Sequence, residues 1–534
     1  MSQRASSGRV LVADALSDGG VQRLRDAGLD VTVRTGMKAA ELAAALGEHD
    51  ALIVRSATQV TAEALAAPGR LRAIGRAGTG VDNIDLEAAT RAGIVVMNTP
   101  GGNSVAAAEL TLALLLALAR HVPQADRDLR GGRWERKKYV GVELEGKLLG
   151  VVGLGRIGRE VARRALAFRM KLLGHDPFVA SGVALDSGIE RVGLEELAAR
   201  SDFVTLHLPL SPETRHLFGP ALIARMKPGA RLINCARGGL VDETALHTAL
   251  ESGRVAGAAL DVFENEPPLD SPLVGHPAVI CTPHLGASTQ EAQERVGTEI
   301  ADKIAGYLAS GAMLDAVNFP PVAPEEYTTL RPLMDLAERL GSFLSQISPG
   351  GIRALDVRAL GAFGEHALRP LAMAAARGLL ERIVEGNISY VNALQLASAR
   401  GIRVEEIRSS EPSAYSGLLR LAVGTDQGTT TVAGTLIGDG QPRLVEIDGM
   451  AIEARPGGQM LFLRNRDVPG VVGKVGAILG RAGVNIAGIH LGRSEPGAVA
   501  VSIINVDGAV PAGALEELRR IDEVLLAGAV RIRA

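Results

Sequence analysis

Short apolar runs alternate with amphipathic stretches through the first part of the chain. RVLVAD (Arg9–Asp14), DVTVR, ALIVR, LRAIGRAG and GIVVMN are rich in Val, Ile and Leu and predict strands, while GGVQRLRDAG predicts a helix. A second alternating block begins near Gly146. KLLGVVGLGRIG reads as a buried strand entering a helix, and MKLLGHDP, SDFVTLHLP, ARLINCARGG, VAGAALDVF and AVICTPHLGAS read as later strands with their exit loops. Such alternation implies βαβ units and parallel sheets. The exit loops carry Asp, His, Arg and Gly, and ligands of open parallel sheets bind outside the carboxyl ends of the strands. These loops are therefore the candidate site.

The pattern changes after Thr289. EAQERVGTEIADKIAGYLASG predicts a helix, and the Pro-rich stretch Phe319–Glu325 reads as a domain boundary. The region Tyr327–Arg455 opens with helices in LRPLMDLAERLGSFLSQI and ends in Gly/Thr-rich strands. Beyond RPGG the order is β-α-β-β-α-β, the ferredoxin-like plan. The most apolar segment, Val105–Arg120, is shorter than the ~20 residues a membrane span needs, and Glu109 interrupts it. It reads as a buried or domain-bridging helix, with no membrane partner expected.

Composition narrows the classes. At 534 residues the chain is too long for one core. A net charge of -3 offers no basic field for nucleic acid, and 3% aromatic residues argue against base-stacking platforms. Only Cys235 and Cys281 are present, which excludes a disulfide framework and points to a reducing, cytoplasmic setting. No metal site is expected.

GLGRIG supplies Gly153, Gly155 and Gly158 between a strand and a helix. In that context Gly153 makes the tight turn, Gly155 lets the backbone approach a pyrophosphate, and Gly158 allows close helix–strand packing. Asp176 ends the next strand, where a carboxylate accepts from ribose hydroxyls and repels a 2′-phosphate. The expected cofactor is NAD rather than NADP. An α/β unit of its own precedes this fingerprint, so the nucleotide unit reads as inserted into another domain, with a cleft between them.

Three further strand ends carry chemistry: Arg237 in NCARGGLVDE, Asp261 with Glu264 and Glu266 in ALDVFENEPP, and His284 in CTPHLGAS. A carboxylate beside an imidazole raises its pKa, and a guanidinium can bind a carboxylate substrate in bidentate fashion. That trio suits oxidation of a 2-hydroxy acid. Taken singly, Arg237 could cap a loop, Glu266 could be a solvated charge, and His284 could cap the following helix.

GLGRIGRE, NCARGGLVDE, GAALDVFENEP and TPHLGASTQEAQ resemble the motifs of the D-2-hydroxyacid dehydrogenase family. The resemblance implies catalytic roles for Arg237, Glu266 and His284, and a nicotinamide contact for Asp261. It implies further cofactor contacts at Thr79, Arg156, Ile157, Leu208 (where relatives often have Thr), Cys235, Ala236, Gly286 and Ala287. Small residues after His284 would leave room for the nicotinamide.

The C-terminal unit resembles an ACT domain. The middle region, through GNISYVNALQLASARGI, resembles the extra domain of long family members that oxidise 3-phosphoglycerate at the start of serine synthesis. The implied architecture is α/β: a flavodoxin-like substrate domain (1–99 and 287–318) with an inserted Rossmann NAD domain (100–286). An α+β intervening domain (319–456) and a ferredoxin-like ACT domain (457–534) follow. Arg55 and Ser56 would lie at the substrate beside the backbone of Gly78, with Arg76 either joining them or remaining an exposed charge. The cation-rich GGRWERKKY is either an arm to another subunit or a solvated turn. Asp467 and Asn485 match positions that hold an amino-acid effector such as serine, unless Asp467 merely caps a helix. ACT pairing and a two-fold core make a homotetramer the expected assembly. A glyoxylate/hydroxypyruvate reductase or an NAD(H)-sensing corepressor would share part of this pattern.

Overall fold

A computed structural model describes residues 8–177, 188–366, 368–411, 413–495 and 497–533. The first sheet comprises β1 (Arg9–Val12), β2 (Asp30–Val33), β3 (Ala51–Val54), β4 (Ala73–Arg76) and β5 (Val95–Asn98). Its order is β2-β1-β3-β4-β5 with all pairs parallel, the flavodoxin-like arrangement. All four residues of β3 are buried, as a strand covered on both faces must be. The helix Gln290–Ser310, capped by Thr289 and ended by Gly311 at φ 74°, returns to this sheet. Its Ile300 and Ile304 occupy the space that a Cβ on Gly75 would need.

The second sheet comprises β6 (Leu148–Val152), β7 (Lys171–His175), β8 (Ile189–Arg191), β9 (Phe203–Leu206), β10 (Ala230–Asn234), β11 (Val255–Leu260) and β12 (Val279–Cys281). The order β12-β11-β10-β9-β6-β7-β8 is the Rossmann arrangement, reversing between β6 and β9. Only β8 departs from the expected strands. It is three residues long, lies at the sheet edge and buries no side chain fully, so it has no apolar pattern. Helix Ser104–Arg120 buries most of its length between this sheet and the helix Arg156–Ala167. No single helix among the described residues is long and apolar enough to cross a membrane. Ser104–Arg120 and Val122–Arg130 meet such a test only as a pair bent by 64°.

The third sheet comprises β13 (Ile352–Gly361), β14 (Arg403–Ser409), β15 (Gly417–Thr425), β16 (Gly428–Ile437), β17 (Gln441–Ile447) and β18 (Met450–Ala454), in the order β14-β13-β15-β16-β17-β18. It is mixed: β13 pairs parallel with β14 and antiparallel with β15. A single helix, Pro324–Ile347, opens this region instead of several, with Pro332 accommodated inside it. The strands β13 and β14 are additions to the sequence reading.

The fourth sheet comprises β19 (Gly458–Arg466), β20 (Ile486–Arg493), β21 (Val499–Val506) and β22 (Val524–Ile532), in the order β20-β21-β19-β22. With helices Val471–Arg481 and Ala512–Arg519 it completes the β-α-β-β-α-β plan. It docks on helix Pro324–Ile347: Phe343 meets Phe462 edge-on at 5.9 Å, and the Gln346 amide exchanges two hydrogen bonds with the Arg531 backbone.

Candidate active site

The three fingerprint glycines do three different things. Gly153 has φ 94°, and a Cβ there would overlap the His207 carbonyl. Gly158 presses on the Gly153 carbonyl, where a Cβ would again overlap. Gly155 has no atom within 4 Å of its Cβ position, and it precedes helix Arg156–Ala167. Open space at a helix N-terminus is the feature a pyrophosphate requires, so these residues fit a dinucleotide. Asp176 accepts from the Leu154 N–H at 2.8 Å and so holds the fingerprint turn. Above the turn lies a cleft of about 420 Å³, lined from one side by Arg76, Thr79 and Gly80. From the other side it is lined by Gly155, Arg156, Ile157, Leu208, Cys235, Ala236, Arg237, His284, Gly286 and Ala287. Thr79 Oγ1 donates to Asn103 at 2.7 Å. Burial pushes the Cys235 thiol up to about 12, so it stays protonated, and burial pushes the neighbouring His207 down to about 3, so it stays neutral.

His284 follows β12 with φ 55°, an uncommon conformation for a non-glycine residue. Its Nδ1 lies 2.7 Å from Glu266 Oε2. The bond to Glu266 raises the His284 pKa above its ordinary value, against the opposing effect of burial. Burial pushes Glu266 upward, but His284, the Phe263 N–H (3.2 Å) and Arg237 outweigh it and hold the carboxyl below the usual range.

Asp261, the residue expected at the nicotinamide, has a structural place of its own. It is fully buried, does not line the cleft, and accepts from Thr282 Oγ1 (2.6 Å), Leu285 N–H (2.7 Å) and Gly286 N–H (2.9 Å). It thus shapes the TPHLG turn that carries His284. Burial raises its pKa.

Arg237 donates from Nε to Asp82 at 2.9 Å, across the cleft, and from Nη1 to the Ala236 carbonyl at 2.7 Å. Asn234 fixes its backbone, donating to Arg237 O (2.9 Å) and accepting from Ala236 N–H (3.0 Å). Arg76 belongs to the cleft. Burial and then the nearby Arg237 lower its pKa to about 10, with Arg55 adding to the effect. Its Nε is buried without a hydrogen-bond partner among the described residues. Gly78, at φ 148°, makes room for its guanidinium. Arg55 is held by its backbone N–H on Asp14 (2.6 Å), and Ser56 is exposed on the same loop; both sit at the margin of the cleft, outside its lining, with Arg55 near enough to act on the charge of Arg76.

The ACT-like unit separates its two candidates. Asp467 lines a cavity of about 200 Å³ with Val468, Val472 and Leu491, and pairs with Arg493 at 3.1 Å. Asn485 lies outside that cavity and donates to Asp507 at 2.5 Å. Asp467 does not cap the following helix, whose N-cap is Gly470. In GGRWERKKY, Arg133, Lys138 and Tyr139 all bond Asp128, leaving Trp134 75% exposed. No group of three or more His, Cys, Asp or Glu suited to a metal occurs among the described residues.

Asn234, Asp82, Asn103 and Gly238 escape the sequence reading. Gly238 abuts the Phe263 carbonyl, where a Cβ would overlap it. The clue to both Asn234 and Gly238 is their place beside Arg237.

Residues 112–286 match the model of the D-isomer specific 2-hydroxyacid dehydrogenase NAD binding domain. Residues 329–448 match the D-3-phosphoglycerate dehydrogenase intervening domain, and 459–523 the ACT domain. The D-3-phosphoglycerate dehydrogenase of Synechocystis sp. is 43% identical, over 96% of this chain and 93% of its own. That of Methanocaldococcus jannaschii is 42% identical, over 97% and 98%. Among solved structures, a glyoxylate reductase from Paecilomyes thermophila superposes with TM-score 0.55 at 32% identity, over 59% of this chain and 99% of its own. A D-lactate dehydrogenase from Aquifex aeolicus, complexed with NAD and lactic acid, superposes with TM-score 0.51 at 29% identity, over 56% of this chain and 95% of its own. The chain belongs to the D-3-phosphoglycerate dehydrogenases, NAD-dependent long-form members of the D-isomer specific 2-hydroxyacid dehydrogenase family.

Proposed function

We propose that this protein oxidises D-3-phosphoglycerate to 3-phosphohydroxypyruvate with NAD, the first step of L-serine synthesis, in the cytoplasm. The observation that carries the reading is the 2.7 Å pair of His284 and Glu266 facing Arg237 in one cleft. Glu266 holds the Nδ1–H of His284, so Nε2 is the basic nitrogen and takes the proton of the substrate hydroxyl. The resulting imidazolium is stabilised by the Glu266 carboxylate. Arg237 binds the substrate carboxylate and polarises the adjoining carbon–oxygen bond. Arg76, with Arg55 and Ser56, receives the phosphate; the unpartnered Arg76 Nε supports this. Bound NAD supplies the hydride acceptor, held by Gly155 and the helix behind it, with Asp176 at the adenosine ribose.

The Asp467 cavity takes an amino-acid effector, with serine the first candidate, and Asn485 reaches it from a second copy. The exposed Trp134 loop and the ACT edge make contacts in a homotetramer. The test is NADH formation by the purified protein on 3-phosphoglycerate, D-glycerate, glyoxylate and hydroxypyruvate, with and without serine, alongside its mass in solution. Preference for 3-phosphoglycerate supports the reading; equal use of D-glycerate favours a general hydroxyacid enzyme.

A further inference from the structure

The GNISYVNALQ motif of the middle region takes no part in the cleft, yet it grips the substrate domain. Helix Leu86–Arg91 has Asp85 as its N-cap. Its last carbonyls lack partners inside the helix, as in every helix. Ala92 O accepts from Asn387 Nδ2 at 3.0 Å, and Arg91 O from Asn392 Nδ2 at 3.4 Å. The two asparagines form one unit, because Asn392 Nδ2 also donates to Asn387 O at 2.9 Å and its Oδ1 accepts from Ser389 N–H at 2.9 Å. Gly93, at φ 75°, ends the helix. A Cβ on Gly93 would lie 2.8 Å from Asn392 Nδ2 and 3.1 Å from Asn387 Nδ2, so the glycine is what lets both amides reach the helix end.

The other end of this helix adjoins the substrate loop. Asn83, two residues before the N-cap, donates to Arg55 O at 2.8 Å and Thr58 O at 2.6 Å. A six-residue helix is only about 9 Å long, so a grip on one end fixes the other. We propose that Asn387 and Asn392 are positioning residues for the substrate: through helix Leu86–Arg91 and Asn83 they set the place of Arg55. The middle domain thereby acts on the substrate site through this one helix, independent of the cofactor half of the cleft. The proposal rests on the reading of Arg55 as a phosphate contact.

The test uses full-length Asn387→Asp and Asn387→Ala proteins; Asn387 is exposed, so neither change disturbs a core. Hydrogen exchange over residues 86–93 is measured together with steady-state kinetics in both substrates. Exchange should quicken, and KM for 3-phosphoglycerate should rise about fivefold, the scale of one lost hydrogen bond, with kcat and KM for NAD unchanged. Unchanged exchange, or quickened exchange with unchanged KM, overturns the proposal. An Arg55→Ala protein then separates the causes, because its KM stays at the wild-type value only if the Arg55 assignment itself is wrong.

Discussion

His284 Nδ1 and Glu266 Oε2 stand 2.7 Å apart although each leaves a different strand of the sheet, β12 and β11. The pairing makes one nitrogen a held donor and the other the base. Replacing His284 by Ala should therefore lower kcat by about 10²–10⁴-fold, the usual worth of a positioned acid–base group. The dissociation constant for NAD, measured by fluorescence titration, should stay near wild type. A nearly normal kcat would remove His284 from proton transfer.

The same pair sets the pH dependence. In the proposed reaction oxidation needs neutral His284, so the rate should rise with pH through its pKa, which Glu266 raises. In Glu266→Gln the raising charge is gone and the acidic limb of the kcat profile should move to lower pH, with a lower plateau because the imidazolium loses its counter-charge. An unmoved limb would dissociate Glu266 from the dyad.

Gly238 joins the loops that carry Arg237 and Glu266. Its Cα packs on the Phe263 carbonyl, three residues before Glu266, and directly follows Arg237. Overpacking of this kind costs roughly 1–3 kcal/mol. Gly238→Ala should lower both Tm and kcat, the latter through displaced Arg237 or Glu266. Calorimetry and kinetics on the one variant check this; unchanged kcat would show that the loops are registered independently.

Asp176 holds Leu154 N–H and, in the proposed binding of NAD, also receives the ribose. Asp176→Ala should weaken NAD binding and raise the kcat/KM ratio of NADP to NAD, because the repulsion of a 2′-phosphate disappears. Loss of NAD binding without any gain for NADP would mean that the carboxylate serves only the turn.

Legibility in the sequence followed the range of the physics. The fingerprint glycines were readable because strand, tight turn and helix N-terminus are contiguous in the chain. Arg237, Glu266 and His284 were readable as strand-end chemistry and by family resemblance, although only the fold brings them together. Gly238 was not, because its crowding comes from Phe263, and Asn234 was not, because a buried asparagine bonded to its own loop looks like any other. Asp261 was readable as a site residue but not as the scaffold of the histidine turn. Strand β13 carries the alternation Leu355, Val357, Ala359 against Asp356 and Arg358, yet its pairing with the distant β14 and β15 is what makes it a strand.

The central claim is that the cleft reads the phosphate as well as the hydroxy acid. Its most direct test is kcat/KM for 3-phosphoglycerate against D-glycerate, in wild type and in Arg76→Ala. A site with buried groups built for a substrate's polar moiety rejects the analogue lacking it, so the wild-type ratio should exceed about 100. It should collapse in Arg76→Ala mainly through a higher KM for the phosphorylated substrate. A wild-type ratio near unity, or one that Arg76→Ala leaves intact, would contradict the account.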